Sequence, residues 1–195
     1  MPIFDKISDL IKYGSPTKLA FKLAEKFWPG PMTMVIERSK NSKISLLSSA
    51  GLDSIAVRIP NNKNLLKLLS DFGRPIAAPS ANRSGKVSPT LAIHVQEEFG
   101  NDLKLILNGG QTEKGIESTV IDTRNDSPII LRPGPITSEM IEKVINIKPI
   151  IKYTSSSPIS PGMLKHHYAP NAKVILDCIS PKNNEAFLGY EKVSP

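Results

Sequence analysis

The chain has a single cysteine, Cys178, so no internal disulfide can form, and with only three histidines it carries no Cys/His framework of the zinc type. A reducing, intracellular setting follows as the expectation. No apolar run approaches the roughly 20 residues a bilayer span requires, and the opening MPIFDKISDLIKYGSPTK lacks the basic-then-apolar order of a secretory leader; the predicted localisation is cytoplasmic and no membrane partner is expected. The nucleotide and hydrolase loops G-x-x-x-x-G-K-[ST], G-x-G-x-x-G and G-x-S-x-G are all missing, and no carboxylate pair is spaced for acid–base work. No catalytic side chain and no metal ligand is therefore assigned.

What is present is enough for one sizeable domain: 195 residues, 39% of them hydrophobic. The formal charge of +7 favours polyanionic company, nucleotide phosphates or RNA. Its lysines are scattered singly, which equally describes a solvated surface.

Helical and extended patterns alternate along the chain. Ser15-Pro16 predicts a helix start, with Leu19, Leu23 and Phe27 as its apolar stripe and Trp28-Pro29-Gly30 as its end. Strands are predicted over 32–37, 54–59, 76–78, 103–107, 118–122 and 129–131. Helices are predicted over 63–72, stopped by Gly73, from Ser88-Pro89 to Gly100, and after Thr137 with Met140, Ile141, Val144 and Ile145 on one face. Residues 148–171 read as a Ser/Pro-rich linker. A further strand over 173–178 and a helix from 183 open a second unit. The alternation predicts an α/β (α+β) domain with a mixed sheet, whose ligands gather where strands end.

Four segments share one design, an apolar run that ends in small polar residues or an arginine: SIAVRIP, PIAAPSANRSG, GIESTVID and IILRPGPI. Arg58 and Arg132 follow such runs, and a guanidinium there can hold a carboxylate or phosphate bidentately; pairing with a nearby carboxylate is the alternative. Ser80 and Asn82, two apart, face the same way if the strand continues, or else bond their own backbone in a turn. Ser118 draws attention because Gly115 precedes it and allows close backbone approach; a strand-edge set of hydrogen bonds over 117–119 is the alternative. Ser88 reads first as a helix cap, beside a Gly-Lys loop where phosphate could settle. His166 and His167 point in opposite directions on an extended linker and make no metal site. Tyr168 beside them could lie over a ligand as part of a lid, and His94 on its helix reads as structural.

Taken together, KFWPGPMTMVI, GLDSIAVRIP, RPIAAPSANRSGKVSPT, GGQTEKGIESTVID, ILRPGPI and SPGMLKHHYAP resemble, in order, the threonylcarbamoyl-AMP synthases of the YrdC-like family, the last segment marking their long two-domain form. The resemblance implies a twisted YrdC-like mixed sheet flanked by helices over 1–147, the linker over 148–171, and the start of a small α/β domain over 172–195. It implies an enzyme, a nucleotidyltransferase that joins L-threonine, bicarbonate and ATP into threonylcarbamoyl-AMP with release of pyrophosphate, and that feeds tRNA threonylcarbamoyl transfer machinery. Magnesium would accompany the ATP phosphates. By the same resemblance Arg58 and Ser118, with the backbone at Ala78, would bind threonine, while Ser54, Ser80, Asn82, Ser88, Arg132 and Tyr168 would contact ATP. The family's PTETVYGL-like strand and K-x-R motif have no counterpart here, so the chain is expected to begin just after them, to end early in the second domain, and to be weakly active or inactive alone. A double-stranded RNA-binding module and a non-functional remnant are the competing expectations.

Overall fold

The computed structural model describes residues 1–152 and 173–188. In chain order its elements are β1 (Pro2–Ile3), α1 (Leu10–Tyr13), β2 (Gly14–Ser15), α2 (Lys18–Phe27), β3 (Met32–Arg38), β4 (Ser54–Val57), α3 (Lys63–Phe72), β5 (Ile76–Ala77), α4 (Ala92–Phe99), β6 (Thr119–Asp122), β7 (Ile129–Arg132), α5 (Ser138–Ile145) and β8 (Ile150–Ile151). Strand β3 is the hub. Rich in Val, Ile and Thr, it pairs antiparallel with β2 and β4 and parallel with β6, and the sheet runs on through β7 to β8. A separate two-stranded ladder joins β1 to β5.

The two-residue period of the strands divides the interior into two faces. Met32, Met34 and Ile36 point to one, where Ile55, Val57, Ile121 and Ile130 join Leu23 of α2 and Ile141 of α5 in the main core. Val35, Val120 and Leu131 point to the other, a much smaller cluster. Thr33, two residues before Val35, shares this second face and is itself buried.

Local signals account for the helices that matter. In α3, the Asn62 side chain accepts the Leu65 N–H at 2.9 Å and Gly73 ends the helix. In α5, Thr137 caps as predicted, Ile141 and Ile145 are buried, and Met140 of the expected apolar face is exposed. The start of α2 differs from the prediction. Ser15 is taken into β2, paired with Glu37, and the cap passes to Thr17, whose Oγ1 accepts from the Ala20 N–H at 3.1 Å.

Three further expectations are corrected. Ser88 caps nothing: α4 begins at Ala92 with Leu91 in the cap position, because the Ser88 hydroxyl is drawn to Glu117. Residues 103–107 form no strand, since no neighbouring strand offers a ladder, and Leu105 is 84% exposed. Neither a strand over 173–178 nor a helix over 183–188 forms. Conversely, β1, β2 and β8 are two-residue strands too short to announce themselves. Among the described residues no helix is long and apolar enough to cross a membrane.

Candidate functional site

At one end of β3 and β6, Pro31, the segment that follows β4 and the Gly-rich loop over 109–117 line a cavity of about 430 Å³, a size suited to a small-molecule ligand. Arg58, Ser88, Glu117 and Ser118 line it. Three of the sequence-predicted site residues thus come together from positions 30 residues apart.

Arg58 follows β4 and is fixed through its Nε, which donates to the Gly30 carbonyl at 2.9 Å. That bond fixes the plane of the guanidinium at the cavity wall. Burial lowers its pKa from the ordinary guanidinium value, the charge of Glu117 opposing this and that of Arg132 adding to it.

Ser118 sits just before β6 and is 3% exposed. Its Oγ lies 2.8 Å from Thr33 Oγ1 and accepts from Arg132 Nη2 at 3.0 Å, while its carbonyl accepts from Arg132 Nε and Nη2 at 3.0 and 2.8 Å. The aim of Arg132 comes from a β-bulge. The β6–β7 register pairs Ile121 with Ile130 but Val120 with Arg132, so Leu131 is the extra residue and the guanidinium turns onto the face of Val120 and Thr33. Arg132 is therefore first a support for Ser118.

Glu117, with Glu113, brings carboxylates to the same wall. It accepts the Ser88 hydroxyl and stands 3.7 Å from Arg132 Nη2. Arg58 and Lys114 share the cavity wall with Glu113 and Glu117, and Arg132 behind it leaves the cations in excess by one, a balance that can take an added anion. Among the described residues no group of three or more His, Cys, Asp and Glu could hold a metal ion.

The other predicted residues lie elsewhere. Ser54 opens β4 opposite Glu37, roughly 13 Å along an extended strand from Arg58. Ala78 is half-buried at the end of β5, its N–H donating to the Met1 carbonyl at 2.9 Å. Ser80 is exposed beyond it, where the strand has already ended, so Ser80 and Asn82 do not share a strand face. Asn82 instead clamps its own loop, Nδ2 donating to the Arg83 and Lys86 carbonyls at 3.0 and 2.9 Å, the turn arrangement the sequence also allowed. His94 on α4 is exposed, its Nδ1 accepting from the Thr90 N–H at 3.3 Å. Tyr168, His166 and His167 lie outside the described residues.

Thr33, Gly134 and the Glu117 carboxylate had no role assigned from sequence, although Thr33 belongs to the PGPMT segment and Gly134 to LRPG. A Cβ on Gly134 would stand 2.4 Å from the Thr119 nitrogen and 2.6 Å from the Glu117 carbonyl oxygen, so only glycine admits this contact. Gly115 differs from expectation: a Cβ there meets nothing, and its glycine is needed for φ +66°.

Comparison with known proteins supplies context. The Sua5/YciO/YrdC family model, described as "Telomere recombination", matches residues 1–134, and the model "Threonylcarbamoyl-AMP synthase, C-terminal domain" matches residues 136–192. A threonylcarbamoyl-AMP synthase of Pyrococcus abyssi is 48% identical over 158 residues, 79% of this chain and 46% of the relative. One from Bacillus subtilis is 40% identical over 188 residues, 93% of this chain and 54% of the relative. The crystal structure of P. abyssi Sua5 complexed with L-threonine superposes with a TM-score of 0.82 at 41% identity, covering 88% of this chain and 52% of that one. The chain spans about half the length of the curated relatives it matches.

Proposed function

The chain belongs to the Sua5/YciO/YrdC family, and from that premise we propose that it carries the amino-acid and nucleotide site of an L-threonylcarbamoyl-AMP synthase. The carrying observation is the cavity in which Arg58, Ser118 and Ser88 converge with Arg132 behind them. A carboxylate of L-threonine meets the free end of the Arg58 guanidinium and the Ser118 hydroxyl. The phosphates of ATP meet Ser88 and Arg132, with magnesium entering on the ATP phosphates as part of that substrate.

In the proposed reaction the threonine amine takes up carbon dioxide derived from bicarbonate to become a carbamate. A carbamate oxygen then attacks the α-phosphorus, and the bond to pyrophosphate breaks. Such a transfer depends on alignment and on neutralising charge, not on a protein nucleophile, which agrees with a site made of hydroxyls and guanidinium groups. Ser54, Ala78, Ser80, Asn82 and Tyr168 belong to the reading only through the family resemblance. The product would pass to tRNA threonylcarbamoyl transfer machinery in the cytoplasm, a setting supported by the single cysteine.

The test is pyrophosphate release from MgATP by the purified chain, with L-threonine and bicarbonate each omitted in turn. Slow release that needs both is expected, since the family's PTETVYGL-like and K-x-R motifs have no counterpart in this chain. Release indifferent to threonine, or no threonine binding by calorimetry, would defeat the assignment.

A further inference from the structure

We propose that Thr33 is a positioning residue for the amino-acid substrate: its buried hydroxyl donates to Ser118 Oγ and so turns the Ser118 proton toward the ligand carboxylate. This rests on the reading of the cavity as a threonine site.

A serine hydroxyl has one proton to give and two lone pairs to fill. Arg132 Nη2, which can only donate, already occupies one lone pair of Ser118 Oγ at 3.0 Å. The remaining partner inside the protein is Thr33 Oγ1 at 2.8 Å, and either oxygen of that pair can be the donor. If Thr33 donates, both lone pairs of Ser118 are filled and its proton has one outlet, the cavity. Ser118 is then a donor only, suited best to a carboxylate oxygen and bound more weakly by a neutral acceptor.

If Ser118 donates instead, its proton is lost to the ligand, and the Thr33 proton is left with the Met1 sulfur at 3.3 Å, a weak acceptor. An anionic ligand beside Ser118 therefore selects the first arrangement. Water cannot take the place of Thr33, because that side chain is 2% exposed and Ser118 3%. Strand β3 holds Thr33 in place, its pairing with Val120 of β6 lying one residue beyond that of Met32 with Thr119. The threonine hydroxyl is thus built into the sheet behind the site and meets the ligand only through Ser118.

The experiment compares the full chain with Thr33→Val, Thr33→Ser and Thr33→Cys by calorimetric titration with L-threonine and with L-threoninol, which has no carboxylate. Thermal unfolding of each protein accompanies the titrations. Valine keeps the shape and removes the hydroxyl, leaving one lone pair of the buried Ser118 Oγ unfilled and its rotation unfixed, so Thr33→Val is expected to bind L-threonine about 5- to 20-fold more weakly, while its affinity for threoninol, which offers Ser118 only a neutral acceptor, falls less. Thr33→Ser restores threonine binding to within about twofold. Should valine disturb the fold, cysteine, of similar size with a weaker donor, is expected to fall below serine. Threonine binding by Thr33→Val equal to the parent, an equal loss of threonine and threoninol, or cysteine equal to serine would overturn the inference alone. A parent chain that binds no L-threonine would overturn the functional reading and the inference with it.

Discussion

The Arg132 guanidinium grips the backbone of Ser118 by a fork, Nε and Nη2 donating to one carbonyl oxygen at 3.0 and 2.8 Å. Its side chain is 16% exposed and also faces Glu117, so the fork is largely shielded from water. The residue that presents a hydroxyl to the cavity is thereby held by a neighbouring strand. A lysine could keep the charge but not the two parallel donors. Arg132→Lys is therefore expected to lower stability by about 1–3 kcal/mol and to weaken L-threonine binding in parallel, because the Ser118 backbone is released. Urea unfolding with an unchanged slope and a lower midpoint is the readout; an unmoved midpoint would show that the fork contributes nothing.

Gly134 supports the same backbone from the other side. A methyl group at this position meets the Thr119 nitrogen at 2.4 Å and the Glu117 carbonyl oxygen at 2.6 Å, and both are main-chain atoms that cannot swing away. Gly134→Ala should cost about 1–3 kcal/mol in overpacking and push the residues around Ser118 toward the cavity. Denaturant unfolding gives the first effect and threonine titration the second. Wild-type values in both would mean that the turn relaxes freely.

Much of this arrangement could be read from the sequence wherever the signal was local. Helix α3 appeared at its observed limits because Leu65, Leu66 and Leu69 recur at helical spacing and Gly73 follows. Arg58 and Ser118 stood out because polar groups there end apolar runs. What could not be read was non-local. Thr33 looks like one more strand residue, and its period gives a face but not what that face meets, which is Ser118 85 positions away. Arg132 is aimed by a bulge that depends on its partner strand. Ser88 has the composition of a cap, yet its hydroxyl finds Glu117, 29 positions on. The strand predicted over 103–107 failed for the same reason in reverse, since a short apolar run forms a strand only where a ladder receives it.

Glu117 occupies groups that the proposed nucleotide needs. Its carboxylate takes the Ser88 hydroxyl and faces Arg132, so an incoming phosphate must displace it and tolerate its charge. Glu117→Gln keeps the shape and a hydrogen-bonding oxygen while removing that charge. A like-charge repulsion of about 1.4 kcal/mol, modest for groups several Å apart in a partly screened site, corresponds to a factor of about ten. The variant is accordingly expected to bind ATP up to about tenfold more tightly, measured by titration at two salt concentrations. Weaker ATP binding in the variant would mean that the carboxylate serves the nucleotide instead of competing with it.

Arg58 separates charge from geometry. Its Nε bond to the Gly30 carbonyl at 2.9 Å orients the guanidinium plane of this half-buried side chain. A lysine at this position has no Nε–H to give to Gly30, and its ammonium is a flexible point charge. If the site reads a carboxylate by charge alone, Arg58→Lys retains most of the L-threonine affinity. If it reads the carboxylate by a fixed fork, lysine falls nearly as far as alanine, by about 30- to 100-fold, the range expected when a charge-assisted bidentate pair is lost. The second result is expected, because the anchoring bond to Gly30 has no function for an unoriented charge. Titration of Arg58→Lys and Arg58→Ala with L-threonine decides between them, and unchanged affinity in the alanine variant would remove Arg58 from the site.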